Sequence, residues 1–372
     1  MDPFDDLYAR LIVEYSLEVA AGQSVLIEST LAGAPLADAV HRRALAAGAH
    51  PRELLEPGEW REAQVECASD DVLGRADFLL RDAYARVDRR VKIIAATNTH
   101  DSSHLPPERA ALAWQGLMDG LRPLLRRDAD EEARWCIVRY PTEASAQEAG
   151  MSLDDYRVFL MRALRFDEDD PVLAWRRTAV WQESAADFLA GVRELRFLAP
   201  GTDLRLGVGG RTWLSAHGRH NLPDGEVYTG PREDTAEGTV TFTFPAVWQG
   251  FEVTGAHLRF EGGRVVDAHA ESGEEFLLAA LDLDDGARRL GEVAVGLNEG
   301  VDRATGDTLL DEKIGGSFHL ALGDSYPETG GTNQSALHWD LVCDLRQGGS
   351  IEADGREIYR DGRFLPDLGL HA

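Results

Sequence analysis

Lysine is nearly missing from this sequence. Of 372 residues only Lys92 and Lys313 are lysines, and the remaining positive charge is arginine. Any one arginine therefore says little, whereas the place of a lysine is informative. Cysteine is almost as scarce. Cys67, Cys136 and Cys343 are scattered, which excludes a disulfide framework and a Cys-x-x-Cys metal knuckle and favours a reducing, cytoplasmic setting. No apolar run approaches the roughly 20 residues that a membrane span needs. The acidic opening MDPFDDLYAR carries no signal-peptide pattern, so a cytoplasmic protein is expected. Positive charge is also outweighed, 38 Lys and Arg against 65 Asp and Glu, for a net charge of −27. Such a polyanion repels phosphate backbones and anionic lipid, so no nucleic acid and no membrane is expected as a partner.

What is present describes a globular chain. Hydrophobic residues make up 44% and charged residues 28%, and the length suffices for two domains with real cores. In the first half, Asp2-Pro3 opens a helix with Phe4, Leu7, Tyr8, Leu11 and Tyr15 at helical spacing, closed by Gly22. Ser24 to Glu28 is a short apolar strand, 35–47 a helix, and 91–96 and 134–139 further strands. Near-continuous apolar strands alternating with helices predict a parallel sheet covered on both faces. A helix over about 152–165 begins with Ser152 and Asp155 in a capping box, and the acidic run Asp167 to Asp170 reads as a solvated loop or helix start.

From about Leu195 the texture changes. Val240, Phe242 and Phe244 alternate inward, 256–270 reads as a hairpin about Glu261-Gly-Gly-Arg264, and 350–365 holds strands broken at Asp354-Gly355 and Asp361-Gly362. Ser272 and Glu275 look like a cap for a helix over 276–281. The expected organisation is an α/β domain over 1–195 followed by a β-rich domain over 196–372.

The second half concentrates ligand-type side chains. In a strand through His338-Trp-Asp340, period two puts His338 and Asp340 on one face, where an imidazole and a carboxylate can reach one divalent ion. Glu312 and His319 flank Gly315-Gly316, a turn that lets both ends fold back on one point. Lys313 beside Glu312 is either a surface ion pair or a cation near a substrate carboxylate or carbonyl. Glu292 stands opposite Val293 and Val295 in an otherwise apolar strand and needs a partner if buried. Glu226 follows the Pro223-Asp-Gly225 turn into a strand. Taken singly, each Glu is an ordinary surface or capping residue. Together, three Glu, two His and one Asp are six oxygen or nitrogen donors, a set suited to two ions that share a carboxylate. His217 and His220 could line a pocket; His41, His50, His100, His104, His257, His269 and His371 read as surface or structural. Leu206-Gly-Val-Gly-Gly210 reads as a turn rather than half a dinucleotide fingerprint.

At these residues the sequence resembles a known family. Asn221-Leu-Pro-Asp-Gly-Glu-Val, Leu290-Gly-Glu-Val-Ala-Val-Gly, Asp311-Glu-Lys-Ile-Gly-Gly, His319-Leu-Ala-Leu-Gly and Asn333-Gln-Ser-Ala-Leu-His-Trp-Asp occur in the order found in the thermophilic metalloaminopeptidases of the aminopeptidase T and S type. Pro141-Thr and Glu148-Ala-Gly-Met-Ser152 also look like them. The resemblance implies an α/β N-terminal domain, a β-rich, barrel-like C-terminal domain carrying a dinuclear site, and a cytoplasmic homodimer. It also implies two divalent metal ions (Zn, Co or Mg) and a peptide substrate with a free N-terminus, cleaved with a preference for leucine or other apolar residues. By motif, the implied metal ligands are Glu226, Glu292, Glu312, His319, His338 and Asp340. Tyr326 matches a tyrosine with an active-site role, and Glu292 is the expected shared carboxylate. Here the stretch from Glu312 to His319 is longer, and that from His319 to His338 shorter, than in the aminopeptidase T type, which suggests a reshaped pocket rim. Two other readings stand beside this one: an iron oxygenase using His338-x-Asp340, which would need a distal His such as His371, and a non-catalytic peptide-binding protein with a degenerate site.

Overall fold

The computed structural model describes residues 2–101, 105–248 and 250–370. The chain divides into two compact units, Met1–Ala174 with Gly218–Pro223, and Trp175–His217 with Asp224–Ala372. The division falls inside the helix Pro171–Ala190 rather than at 195. The change of texture at Leu195 marks instead the first strand of the second unit, Glu194–Ala199. A helix that belongs to two units carries no compositional break where it passes between them, so its sequence does not mark the division.

In the first unit Asp2 caps the helix Pro3–Leu11, accepting the Phe4 N–H at 2.9 Å. The helix runs on into a π-helical turn over Ile12–Ser16 and ends there, short of Gly22. Strands β1 (Ser24–Thr30), β2 (His50–Glu56), β3 (Arg89–Ile94) and β4 (Arg134–Arg139) form a parallel sheet in the order β2-β1-β3-β4, extended by Asn221–Leu222. Val25, Ile27, Val91, Ile93, Cys136 and Val138 are buried, as the apolar runs predict. Strand β2 escapes that reading because it lies at the sheet edge with mostly exposed side chains and no alternating pattern. Ser152 does cap the helix Leu153–Ala163, accepting from Asp155 N–H at 3.1 Å.

The second unit holds two larger antiparallel sheets. One has eight strands, among them Glu194–Ala199, Thr202–Gly207, Glu237–Thr241, the hairpin His257–Glu261 and Arg264–His269, and the strands Ser350–Ala353 and Arg356–Arg360. The other has five: β5 (Leu214–Ala216), β6 (Glu226–Thr229), β7 (Leu290–Gly296), β8 (Ser317–Gly323) and β9 (His338–Asp344), ordered β9-β8-β7-β6-β5. Among the described residues no ladder closes either sheet into a barrel. The helix Glu274–Leu281 starts behind Gly273, at φ 76°, and Ser272 does not cap it. The Glu274 carboxylate instead accepts the Ala270 N–H at 3.1 Å.

Strands β7 and β8 are buried along their whole length, and their two faces differ in chemistry. Val227, Val293, Val295, Phe318, Leu320, Leu322, Trp339, Leu341 and Cys343 belong to the apolar core shared with the eight-stranded sheet. Phe318 stacks on Phe197 with ring centroids 4.3 Å apart. Burying each of the larger side chains contributes roughly 1.5–3 kcal/mol. The alternate positions carry the polar set.

A candidate metal centre on the second face of a buried sheet

Ladder register places that polar set. Glu226 pairs with Gly296 and Tyr228 with Ala294 across β6 and β7. Glu292 pairs with Ala321 and Ala294 with His319 across β7 and β8. Ala321 pairs with Asp340 and Gly323 with His338 across β8 and β9. Side chains alternate along a strand, so Glu226, Tyr228, Glu292, His319, His338 and Asp340 all rise from one face. Between them stand Ala294, Gly296, Ala321 and Gly323, which leave the face open. Gly296 is required for a second reason: a Cβ there would lie 2.3 Å from the Ile314 carbonyl and 2.8 Å from Ser317 Oγ. Glu312 arrives from the turn before β8, where Gly316 takes φ +85°.

Three overlapping trios result. Donor atoms of Glu226, Glu292 and His319 lie within 4.8 Å of one another, as do those of Glu292, His338 and Asp340, and those of Glu312, His319 and Asp340. All six residues named from the sequence are thus brought together, and Glu292, His319 and Asp340 each belong to two trios.

Both imidazoles are oriented by backbone. His319 Nδ1 donates to the Glu312 carbonyl at 3.1 Å, and His338 Nδ1 to the Asp324 carbonyl at 2.9 Å. That bond selects the tautomer whose Nε2 is free. His319 Nε2 then faces Glu292 Oε1 at 3.4 Å, Glu226 Oε2 at 3.5 Å and Asp340 Oδ1 at 3.8 Å. His338 Nε2 faces Glu292 Oε2 at 3.7 Å and Asp340 Oδ2 at 3.8 Å. Glu226 Oε2 and Asp340 Oδ1 are buried and accept no hydrogen bond. Lone pairs aimed at anionic oxygens repel unless a proton or a cation lies between them. Burial opposes a charged imidazole at His319, but Glu292, Glu226 and Asp340 outweigh it and lift its pKa to about 10. Burial, partly offset by Lys313, lifts Glu226 to about 8, and Glu312 is raised by the same balance. His338 is raised too, Asp340 and Glu292 overcoming its burial. Protons held this tightly mark positions that a cation would take. Oxygen and nitrogen donors with no thiol suit a hard or borderline divalent ion.

Tyr326 lies beside the cluster, its hydroxyl 3.5 Å from His338 Nε2 and its ring edge-on to Tyr228 with centroids 5.8 Å apart. Desolvation where the hydroxyl meets the cluster, with Glu292 and Asp340 next, raises its pKa although the residue is 43% exposed, so the phenol keeps its proton and can donate.

Among the described residues the other histidines belong to none of these trios. His100 meets Glu148 at 2.9 Å, His217 meets Ser215 at 3.1 Å, His220 meets Asp128 at 3.1 Å and His257 meets Thr241 at 2.9 Å. His41 pairs with Glu53. His104 and His371 lie outside the described residues.

Sequence reasoning missed part of the site. Lys313 makes no surface ion pair; it is 1% exposed and bonds Glu226 and Glu312. Asp224, read as a turn residue, is buried with Lys313 Nζ 3.5 Å away. The available signal was the lysine's rarity. Tyr228 was overlooked, although it follows Glu226 by two and must share its face.

Comparison with known proteins places the chain. Residues 5–364 match the model of the family described as thermophilic metalloprotease (M29). An aminopeptidase 2 of Geobacillus stearothermophilus is 30% identical across 98% of both chains. An aminopeptidase T of Thermus aquaticus is 35% identical across 70% of this chain and 71% of its own. The solved structure of wild-type AmpT from Thermus thermophilus superposes with a TM-score of 0.84, at 26% identity, over 97% of this chain and 98% of the other. Fold and site together thus define a metal-dependent peptidase. The chain belongs to the thermophilic metalloprotease family M29.

Proposed function

We infer that this chain removes N-terminal residues from peptides at the cluster on β6 to β9. It is a metal-dependent aminopeptidase. Glu226, Glu292, Glu312, His319, His338 and Asp340 would hold two divalent ions (Zn, Co or Mg), with Glu292 shared between them. The observation that carries this reading is the pair of backbone-oriented imidazoles whose Nε2 atoms face carboxylate oxygens, two of which, Glu226 Oε2 and Asp340 Oδ1 beside His319, accept no hydrogen bond. When bound, the ions supply Lewis-acid polarisation of the scissile carbonyl and an acidified water.

The chain's own residues supply the rest. The excess of carboxylates attracts the cationic free N-terminus of a peptide, which fits an exopeptidase. Tyr326 donates its phenolic hydrogen to the oxygen on which negative charge develops. A carboxylate of the cluster carries the proton to the departing amine. A leucine or other apolar residue at the substrate N-terminus, a homodimer and a cytoplasmic location complete the proposal. No helix of the described residues is long and apolar enough to cross a membrane. Membership of a peptidase family favours this reading over an oxygenase or a non-catalytic binder.

The test uses a leucyl peptide and its N-acetylated twin. Chelation should abolish leucine release, cobalt or zinc should restore it, and the acetylated peptide should remain intact. Release of leucine after exhaustive chelation would overturn the assignment.

A further inference from the structure

Lys313 occupies a position with the chemistry of a cation site. Its ammonium is buried among three carboxylates, Asp224 and Glu226 from one stretch of chain and Glu312 from its own. Nζ bonds Glu226 Oε1, lies 2.7 Å from Glu312 Oε1 and 3.5 Å from Asp224 Oδ1. Glu226 and Glu312 are also members of the trios described above. Each therefore has one oxygen committed to Lys313, and for Glu226 the other, Oε2, is the one turned toward His319. Asp224 is fixed independently, its backbone carbonyl accepting from Asn298 Nδ2 at 2.7 Å. The charges close as well. Asp224, Glu226, Glu292, Glu312 and Asp340 are five buried carboxylates and Lys313 is one buried ammonium, in contact with the first, second and fourth of them, which leaves four negative charges, the amount that two divalent ions neutralise.

We propose that Lys313 is a built-in third cation of this centre. It fills the pocket formed by Asp224, Glu226 and Glu312, keeps one oxygen of each of the two glutamates away from the ions, and so limits the centre to two divalent ions. Lys313 is a positioning residue: it acts on the ions through Glu226 and Glu312. The inference rests on the two-ion reading of the site.

Metal content tests it. Full-length protein stripped with chelator is titrated with Co(II), bound cobalt is counted by mass spectrometry after gel filtration, and the visible absorption of the bound ion is recorded. Wild type should take two cobalt ions per chain. Lys313→Ala vacates a pocket of three carboxylates and should take three. Asp224→Asn combined with Lys313→Ala removes one of those carboxylates and should return the count to two. Lys313→Met fills the space without charge, guarding against loss of fold in the alanine variant. It should hold two ions with shifted cobalt absorption bands, because the second oxygens of Glu226 and Glu312 become free to coordinate. Variants that keep two ions and wild-type bands would overturn the role of Lys313, as would a third ion that survives Asp224→Asn. Wild type that takes up no cobalt would overturn the metal reading itself, a failure visible before any variant is made.

Discussion

Glu292 directs its two oxygens at different imidazoles, Oε1 at His319 and Oε2 at His338. A side chain with that geometry cannot be replaced by an amide of the same shape, since one oxygen becomes a donor pointed at a cation. Glu292→Gln should keep its circular dichroism spectrum and lose at least about 100-fold in peptide hydrolysis. Retention of more than a tenth of the activity would show that the shared role is wrong. Tyr326 makes a different kind of contribution, because its phenol reaches the cluster from outside the six donors. Tyr326→Phe should lower kcat by about 10²–10³, with KM and metal content close to wild type. A change confined to KM would place the phenol in substrate binding instead.

Strand β8 shows why part of this design was readable. His319 and Ala321 face the donors while Phe318, Leu320 and Leu322 face the core, an alternation visible in Ser317 to Gly323 before any coordinates. The same period located His338 with Asp340 and set Glu292 against Val293. Nothing local says that 226, 292, 319 and 340 are neighbours, because register between strands tens of residues apart is set by ladders and loops. The family motifs supplied that link. The surface ion pair that Lys313 and Glu312 suggested is overturned for the same reason: Glu312 is its neighbour in sequence, but Asp224 and Glu226 are not. The two faces should fail differently when changed. Phe318→Ala removes a ring stacked on Phe197 and should cost about 3–5 kcal/mol in denaturant unfolding. Gly296→Ala drives a methyl group against the Ile314 carbonyl and should cost about 1–3 kcal/mol, with weakened metal uptake because Glu226 is its ladder partner. Gly296→Ala with unaltered metal affinity would mean that the sheet yields there without disturbing the donors.

A chain with a net charge of −27 already carries strong self-repulsion, and the centre gathers five of those negative charges in a buried place. Without metal, protons must relieve them. The Glu226 carboxyl is raised from its ordinary 4.5 to about 8, and the His319 imidazole from 6.5 to about 10. In both cases the folded metal-free protein binds protons that the unfolded chain has already released, so stability falls as pH rises through that interval. The Glu226 contribution is complete below 4.5 and lost as pH climbs through about 8. The His319 contribution is complete below 6.5 and lost through about 10. Metal uptake expels the same protons, so apparent affinity must move the opposite way and tighten with pH across this window. An ion present at 100 times its Kd adds about 2.7 kcal/mol per site to the folded state. The gap in Tm between cobalt-saturated and chelator-treated protein should therefore widen from pH 5 to pH 9. Thermal scans at pH 5, 7 and 9, each with and without chelator, measure it directly. A gap that stays constant, or narrows toward alkaline pH, would mean that protons and cations do not compete for these donors, and that the imidazoles of His319 and His338 face the carboxylates for some reason other than metal.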